Sequence, residues 1–478
     1  MVCEKYMTFQ ECELAILRAA IDKRDEIEGE KLLKDPEVKI IITIVEDFLV
    51  KKKLVGYGGT AINAVLPTED QFYDMCLELP DYDFFSPNAL KDAKELADMY
   101  YKKGFTNVEA RAGVHLGTYK VFVNFIPVAD ITQILPEIFK SVKRTAININ
   151  GINFASPNFL RMSMYLELSR PNGDITRWEK ILKRISLLNK NYPLRGQHCN
   201  DIEIQRLFDP EKKLKKGIEE RIFYITRDTL INQGVVFFGA MAIQIYLRFL
   251  KKYKYHKFKK IPDFDVLSLN PKQTATILKD SLSRGGIKNI SINKKEGVGE
   301  IIAPHYEVTV KGETIVIIYE PLACHSYNVT KLSKKTVKIA SIDTMLSFYL
   351  AFIHINRKYY DPNRILCMAE FLFKIQQKNR LNQKGVLKRF SIDCYGQQET
   401  YESIRAQKKA RFEQLRNSRY SKEWDKYFLR YIPEYQEKRK EKNKLKTKKT
   451  RKKKFKVNPK KKKGKTLKSK LNKFINIF

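Results

Sequence analysis

The sequence lacks any run long and apolar enough to span a bilayer. Its longest, Val235 to Leu250, is interrupted by Gln244 and Arg248 and falls short of the roughly 20 residues that a transmembrane helix needs. Glu4 and Lys5 break any apolar run at the start, so no signal peptide is expected. There is also no C-x-x-C spacing among the seven cysteines, at 3, 12, 76, 199, 324, 367 and 394. Scattered in this way, they suit reduced thiols in a cytosol-like compartment and argue against both a disulfide framework and a zinc site. The adjacent pairs His198-Cys199 and Cys324-His325 lack the nearby further ligands that zinc requires. Acidic residues are in short supply: 54 Asp and Glu face 91 Lys and Arg, a net charge of +37. Glu437 to Lys473 alone holds 21 Lys or Arg against two Glu, a local balance of +19, and the body keeps about +18. Both parts would attract a polyanion, most simply a nucleic acid.

What is present is a globular body. Hydrophobic residues make up 43% and aromatics 12% of 478 residues, enough for about three domains of ordinary size. Two stretches of this body resemble each other. The first reads Tyr57-Gly58-Gly59-Thr60-Ala61-Ile62-Asn63, then Leu79-Pro80-Asp81-Tyr82-Asp83-Phe84-Phe85-Ser86, then Pro127-Val128-Ala129-Asp130. The second reads Phe238-Gly239-Ala240-Met241-Ala242-Ile243-Gln244, then Ile261-Pro262-Asp263-Phe264-Asp265-Val266-Leu267-Ser268, then Pro321-Leu322-Ala323-Cys324. Gly104 and Gly286 each lie 21 positions after the second aspartate of their copy. A spacing kept through two different sequences points to one supersecondary unit used twice. Only the first copy is complete, since Cys324 aligns with Asp130 and Ala240 with Gly59.

On a strand, Asp81 and Asp83 project from one face and Tyr82 from the other. Carboxylates so close repel by a few kcal/mol per pair at an effective dielectric near 20, by rough estimate. A divalent cation such as Mg²⁺ or Mn²⁺ removes that cost, and Mg²⁺ favours such oxygen ligands together with substrate phosphates. Asp130, at the end of a strand able to lie alongside, would complete a set that can hold two metals about 4 Å apart. Gly58 and Gly59 leave room for backbone N–H groups to approach a triphosphate, with the Thr60 hydroxyl nearby. The bland alternative is a tight turn followed by an acidic loop. Gly56-Tyr57-Gly58-Gly59-Thr60 lacks the Lys-Ser/Thr ending of a P-loop. Asp83-Phe84-Phe85 is not a kinase Asp-Phe-Gly, and no His-Arg-Asp loop occurs.

Periodicity predicts a helix in which Leu14, Leu17 and Ile21 share a face, and a second from Val38 to Lys51 that feeds the first glycine motif. Tyr119, Val121, Val123 and Phe125 recur at the strand period, with Phe122 on the other face. Helices are expected over about 158–169 and 174–190, the second capped by Asp174. On it Arg177, Lys180 and Arg184 lie together, either as ligands for triphosphate or RNA backbone or as a solvated face. Ile339 to Lys374 reads as helical and largely apolar.

These residues carry a resemblance. Gly58-Gly59, Asp81-x-Asp83 and Asp130 are similar to the active-site signature of the DNA polymerase beta-like nucleotidyltransferase superfamily. Tyr57-Gly58-Gly59-x-Ala61-Ile62, Pro80-Asp81-Tyr82-Asp83-x-Phe85-Ser86-Pro87 and Val128-Ala129-Asp130 resemble more closely the poly(A) polymerase catalytic subunits of large cytoplasmic DNA viruses. The likeness continues through Tyr165-Leu166-Glu167-Leu168-Ser169-Arg170-Pro171 and Arg177-Trp178-Glu179-Lys180.

The resemblance implies an α/β (α+β) fold of two tandem nucleotidyltransferase-like domains with helical additions and a disordered basic C-terminal tail. The expected parts are an N-terminal helical segment (1–38), an active domain (39–195), a linker (196–218), a degenerate domain (219–375), a charged helical region (376–436) and a low-complexity tail (437–478). It implies Mg²⁺-dependent transfer of AMP from ATP to an RNA 3′-hydroxyl with release of pyrophosphate. By position, Asp81, Asp83 and Asp130 would bind metal and Asp130 would help deprotonate the hydroxyl. Gly58, Gly59, Thr60, Arg177, Lys180 and Arg184 would bind nucleotide. The implied partners are the RNA 3′ end, ATP, and either a second copy or a processivity subunit. The implied place is the host cytoplasm, at the viral factory or packaged in the virion. Rival readings are a CCA-adding or repair nucleotidyltransferase, and a non-catalytic RNA-binding scaffold. The second copy is expected to be a supporting lobe, against a competing reading in which Glu320 completes a second active site. The lysine tail reads as an RNA-binding or nuclear-import segment.

Overall fold

A computed structural model describes residues 3 and 6–438 apart from 34, 74–79, 207–215, 251–257, 300, 333, 358 and 420. Almost all of the basic tail, and Cys76, lie outside the described residues. No helix among the described residues is long and apolar enough to cross a membrane.

Two helices, α1 (Phe9–Leu33) and α2 (Pro36–Lys52), precede the first sheet. α2 begins where Asp35 accepts a hydrogen bond from the Glu37 N–H and Pro36 takes the first turn, a position that needs no donor. It buries Val38, Ile41, Ile44, Val45, Phe48 and Leu49 against the sheet. α1 differs from expectation: Leu14, Leu17 and Ile21 are all about half exposed, so its apolar residues seal no core.

The first lobe continues through β1 (Val55–Tyr57), α3 (Gly58–Val65), β2 (Tyr82–Ser86) and α4 (Ala89–Lys102). There follow β3 (Val108–Ala112), β4 (Thr118–Val123), β5 (Ile126–Gln133), α5 (Pro136–Arg144), β6 (Ile147–Ile149) and β7 (Ile152–Phe154). It closes with α6 (Pro157–Leu168) and α7 (Trp178–Asn191). The second lobe repeats the plan with α8 (Lys216–Asn232), β8 (Val236–Phe238), α9 (Gly239–Leu247), β9 (Phe264–Leu267) and α10 (Pro271–Arg284). Its sheet is completed by β10 (Ile290–Lys295), β11 (His305–Val310), β12 (Glu313–Tyr319), β13 (His325–Leu332) and β14 (Lys335–Ala340), before α11 (Ile342–Phe352) and α12 (Pro362–Lys378). Short β15 (Cys394–Tyr395), α13 (Tyr401–Leu415), α14 (Lys422–Phe428) and β16 (Arg430–Tyr431) end the described fold.

The duplication is visible in the strand orders, β16-β3-β4-β5-β2-β1-β7-β6 and β10-β11-β12-β9-β8-β14-β13-β15. In each lobe the strand before the glycine runs antiparallel to the Asp-x-Asp strand, which runs parallel to the next long strand. Gly104 and Gly286 both fall just past the helix that follows. α6 and α11 occupy equal places, each started by a capping serine, Ser156 or Ser341, and they pack against each other. The charged segment after 400 returns to the first lobe: β16 pairs with β3, and Lys94 and Asp425 form an ion pair at 2.6 Å.

Three further expectations are corrected here. Phe125 leaves the strand pattern, because Asn124 and Phe125 form the β4–β5 turn with positive φ and the ring is exposed. The stretch from 339 begins as the end of β14, and its helix breaks at 353–361. Cysteines expected as free thiols form disulfides: Cys3–Cys12, Cys199–Cys367 and Cys324–Cys394. The last two join residues 168 and 70 positions apart, so only the folded topology brings them together and no local spacing announces them.

Candidate active site

The first lobe's motifs converge because β1 and β2 pair with Tyr57 opposite Asp83, and β2 and β5 pair with Asp83 beside Asp130. On β2, Tyr82 points inward, where its hydroxyl reaches Glu46, while Asp83 faces the cleft. The chain turns from β1 into α3 at Gly58, whose φ of +74° and lack of a side chain are both required, since a Cβ there would overlap Asp83 Oδ2. α3 has no side-chain cap, so its first N–H groups are left for an outside acceptor.

The result is a cleft of about 570 Å³ lined by Gly58, Gly59, Thr60, Asp81, Asp83, Asp130, Arg177, Lys180 and Arg184. Thus all nine residues singled out in the sequence lie on one cavity. Thr60 differs in role: its hydroxyl donates to the Asp81 carbonyl oxygen at 2.7 Å, fixing the approach to the Asp-x-Asp strand instead of pointing at a ligand. Arg184 stacks over the Phe72 ring, 4.7 Å from its centroid, and donates to the Tyr73 hydroxyl. Arg177 pairs with Glu167 at 3.3 Å. Arg177 ends a short 3-10 turn, Ile175–Arg177, which is what Asp174 caps in place of the expected helix start, and Lys180 remains exposed on α7 itself.

The electrostatics show strain between like charges. Burial first, then Asp81 and Asp130, push the Asp83 carboxyl up to about 7 from an ordinary 3.8. Burial and Asp130 also raise Asp81. Asp130 is held at Oδ2 by Lys120, while its buried Oδ1 has no hydrogen-bond partner. An orphaned carboxylate oxygen beside two repelling carboxyls is the donor set a hard divalent cation takes. The residues therefore fit a metal, although no cluster of three metal-ligating side chains is drawn together among the described residues.

Sequence reasoning missed Lys120, Tyr73 and Glu167. Lys120 was readable, because it alternates with the inward Tyr119 and Val121 and so must share the face of Asp130, its register partner.

The second lobe copies the frame and not the site. Gly239 has φ +66°, and a Cβ there would overlap Asp265 Oδ2. The strand position equivalent to Asp130 is Ile317, the partner of Asp265, not Cys324, which lies beyond the end of β12. The resemblance of Pro321-Leu322-Ala323-Cys324 to the first copy falls on a loop, so the alignment of Cys324 with Asp130 is corrected. The carboxylates are filled by Arg206: its backbone N–H donates to Asp263 at 2.8 Å and its guanidinium pairs with Asp263 and Asp265, the latter at 3.1 Å. Only about 30 Å³ remains around them, and Glu320 is not among the lining residues.

Known proteins resemble this chain to different extents, the family model over part of the first lobe and a solved structure over nearly all of it. Residues 43–174 match the family model "Poly(A) polymerase catalytic subunit". A relative from African swine fever virus (strain Badajoz 1971 Vero-adapted), described as "Putative poly(A) polymerase catalytic subunit", is 34% identical over 164 residues, 33% of this chain and 34% of the relative. One of the same description from Acanthamoeba polyphaga mimivirus is 29% identical over 262 residues, 51% of this chain and 42% of the relative. The matches thus span about a third to two fifths of those relatives' length. The crystal structure of the Megavirus polyadenylate synthase shares the fold, with a TM-score of 0.73 over 91% of this chain and 88% of that one at 22% identity. The lobe that holds the glycine pair and all three carboxylates is the part of this chain that matches the poly(A) polymerase catalytic subunit family.

Proposed function

We propose that the protein is the catalytic subunit of a viral poly(A) polymerase, transferring AMP from ATP to the 3′-hydroxyl of mRNA without a template and releasing pyrophosphate, in the host cytoplasm. The observation that carries the reading is the single open cleft in which Asp81, Asp83 and Asp130 face a glycine turn and the basic side of α7. Asp81 and Asp83 would hold Mg²⁺ or Mn²⁺ with Asp130. When bound, the metal supplies charge neutralisation at the phosphates and activation of the attacking oxygen.

The chain's own residues divide the remaining work. The open N–H groups of α3 and the Gly58-Gly59 turn accept the triphosphate. Lys180 and the pre-stacked Arg184 face developing negative charge on the pyrophosphate. Asp130, with Oδ2 tied to Lys120, offers Oδ1 as acceptor for the hydroxyl proton. RNA, ATP and either a second copy or a processivity subunit are the proposed partners.

The test is incubation of the protein with a labelled RNA primer, Mg²⁺ or Mn²⁺, and each nucleoside triphosphate separately. Extension with ATP alone is expected. Extension by none of the four favours the scaffold reading, and a short fixed addition using CTP favours the CCA-adding one.

A further inference from the structure

A second cleft, of about 770 Å³, lies between α5 of the first lobe and the turn joining α11 to α12 in the second. Lys140 and Arg144 stand one turn apart on α5 and line it from one side. Arg357 enters from the other wall, and Ser141 and Asn356 add neutral polar groups. None of the three cations has an ion-pair or hydrogen-bonding side-chain partner among the described residues, and Glu137 is the one carboxylate in the lining. Cations gathered around a cavity repel each other, and a bound anion removes that cost.

A second observation points the same way. The His354 ring lines this cleft and is only 6% exposed, yet its Nε2 has no hydrogen-bond partner. Burial and the nearby Arg144 push it down to about 4, so it stands neutral at pH 7 and adds no charge to the wall.

The cleft does not suit a nucleoside triphosphate. α5 lines the cleft along its length, from Glu137 to Arg144. The start of α12 reaches the wall only through Pro362, which has no N–H, with Asp361 already capping the Arg364 N–H, and no glycine turn is in the lining to cradle phosphates. A lone carboxylate is a poor seat for the metal that accompanies a triphosphate. The volume is also in the range of about 300–1,000 Å³ typical of ligand sites, too large for one phosphate ion. Its position relates it to the catalytic cleft: Leu160 of α6 lines the catalytic cleft, and the adjacent Phe159 packs edge-on against His354 at 5.0 Å.

We propose that this cleft holds the sugar-phosphate backbone of the RNA strand upstream of the 3′ end, with Lys140, Arg144 and Arg357 as phosphate contacts. The proposal rests on the RNA-tailing reading above. The first turn of α6 stands between the two clefts, with Phe159 and Leu160 buried in it, so a strand whose end sits at Asp130 would have to round that turn to reach Arg144.

The experiment compares the full-length protein with a variant combining Lys140→Ala, Arg144→Ala and Arg357→Ala. Fluorescence anisotropy is read over a salt series with a long oligo(A) and with a short one that fills only the catalytic cleft. The expected result is about tenfold weaker binding of the long strand and a log-log salt slope shallower by about 2, at roughly 0.7 per phosphate contact. Binding of the short strand should be unchanged. Equal losses on both strands, or an unchanged slope on the long one, overturn the proposal, as does a loss of ATP affinity, which would mark a nucleotide site. The single variant Arg357→Gln guards against misfolding: with a melting curve like the wild type, it should show about a third of the slope change. If the wild type extends no primer, the RNA-tailing reading fails, while the slope still reports on this cleft.

Discussion

Both lobes put an Asp-x-Asp pair opposite a left-handed glycine, and they differ in what neutralises the carboxylates. In the first lobe, Asp83 and Asp81 are left with raised pKa and an orphaned Asp130 oxygen beside them, in an open cleft. In the second lobe, Arg206 occupies the equivalent carboxylates and the space closes to about 30 Å³. Burial raises Asp265 and the Arg206 guanidinium pulls it back. A carboxylate pair without an internal cation needs one from outside, and a pair with an internal cation is a structural element. On the proposed reading the same backbone frame serves binding in one lobe and stability in the other.

The strongest way to break this contrast is to remove the internal cation. Arg206→Ala leaves Asp263 and Asp265 uncompensated, and denaturant unfolding should show a loss of about 3–5 kcal/mol. Adenylation per folded molecule should be retained at low temperature. A loss below about 1 kcal/mol would mean that Arg206 is not the lock.

The next effect concerns the first lobe without metal. Asp83 has its pKa raised from 3.8 to about 7, so the unfolded chain releases this proton more readily than the folded one. Its contribution to stability is therefore full below about pH 4 and lost as pH rises through about 7, by up to about 4 kcal/mol. Asp83→Asn should flatten that part of the melting-temperature profile, and Mg²⁺ should restore the wild type at pH 8. A profile unaffected by either change would contradict the reading of strain between carboxylates.

The glycines sharpen the comparison. Gly58→Ala and Gly239→Ala meet the same φ penalty and the same overlap with an aspartate, so each should cost at least about 1–3 kcal/mol of stability. Only Gly58→Ala should also abolish catalysis. The smallest effect is expected from Lys120→Met: Lys120 lowers Asp83 and Asp81, so the acid limb of the activity profile should move to higher pH.

The parts legible in the sequence are those encoded by spacing along one strand or turn. Gly58, Asp81, Asp83 and the matching glycines at 104 and 286 depend on local geometry, so their positions could be read directly. Asp130 was found through the Pro127-Val128-Ala129-Asp130 stretch and the family resemblance, since the strand-period pattern before it belongs to β4 and not to its own β5. The equivalent in the second lobe was misplaced because a short Pro-x-Ala pattern imitated it, while the true register partner, Ile317, sits in a continuous apolar strand with no motif. Arg206 lies in a segment that read only as connector, and its meaning arises from a pairing 57 and 59 residues along the chain. The Cys199–Cys367 and Cys324–Cys394 disulfides escaped for the same reason. Distance in sequence hides whatever the topology alone brings together.

The central claim is that one lobe is catalytic and its copy is not, and it is tested most directly by extension of an RNA primer with ATP and Mg²⁺ by two variants assayed side by side. Asp83→Ala should abolish adenylation, and Asp265→Ala should leave the rate per folded molecule close to wild type. Equal losses from both would contradict the account.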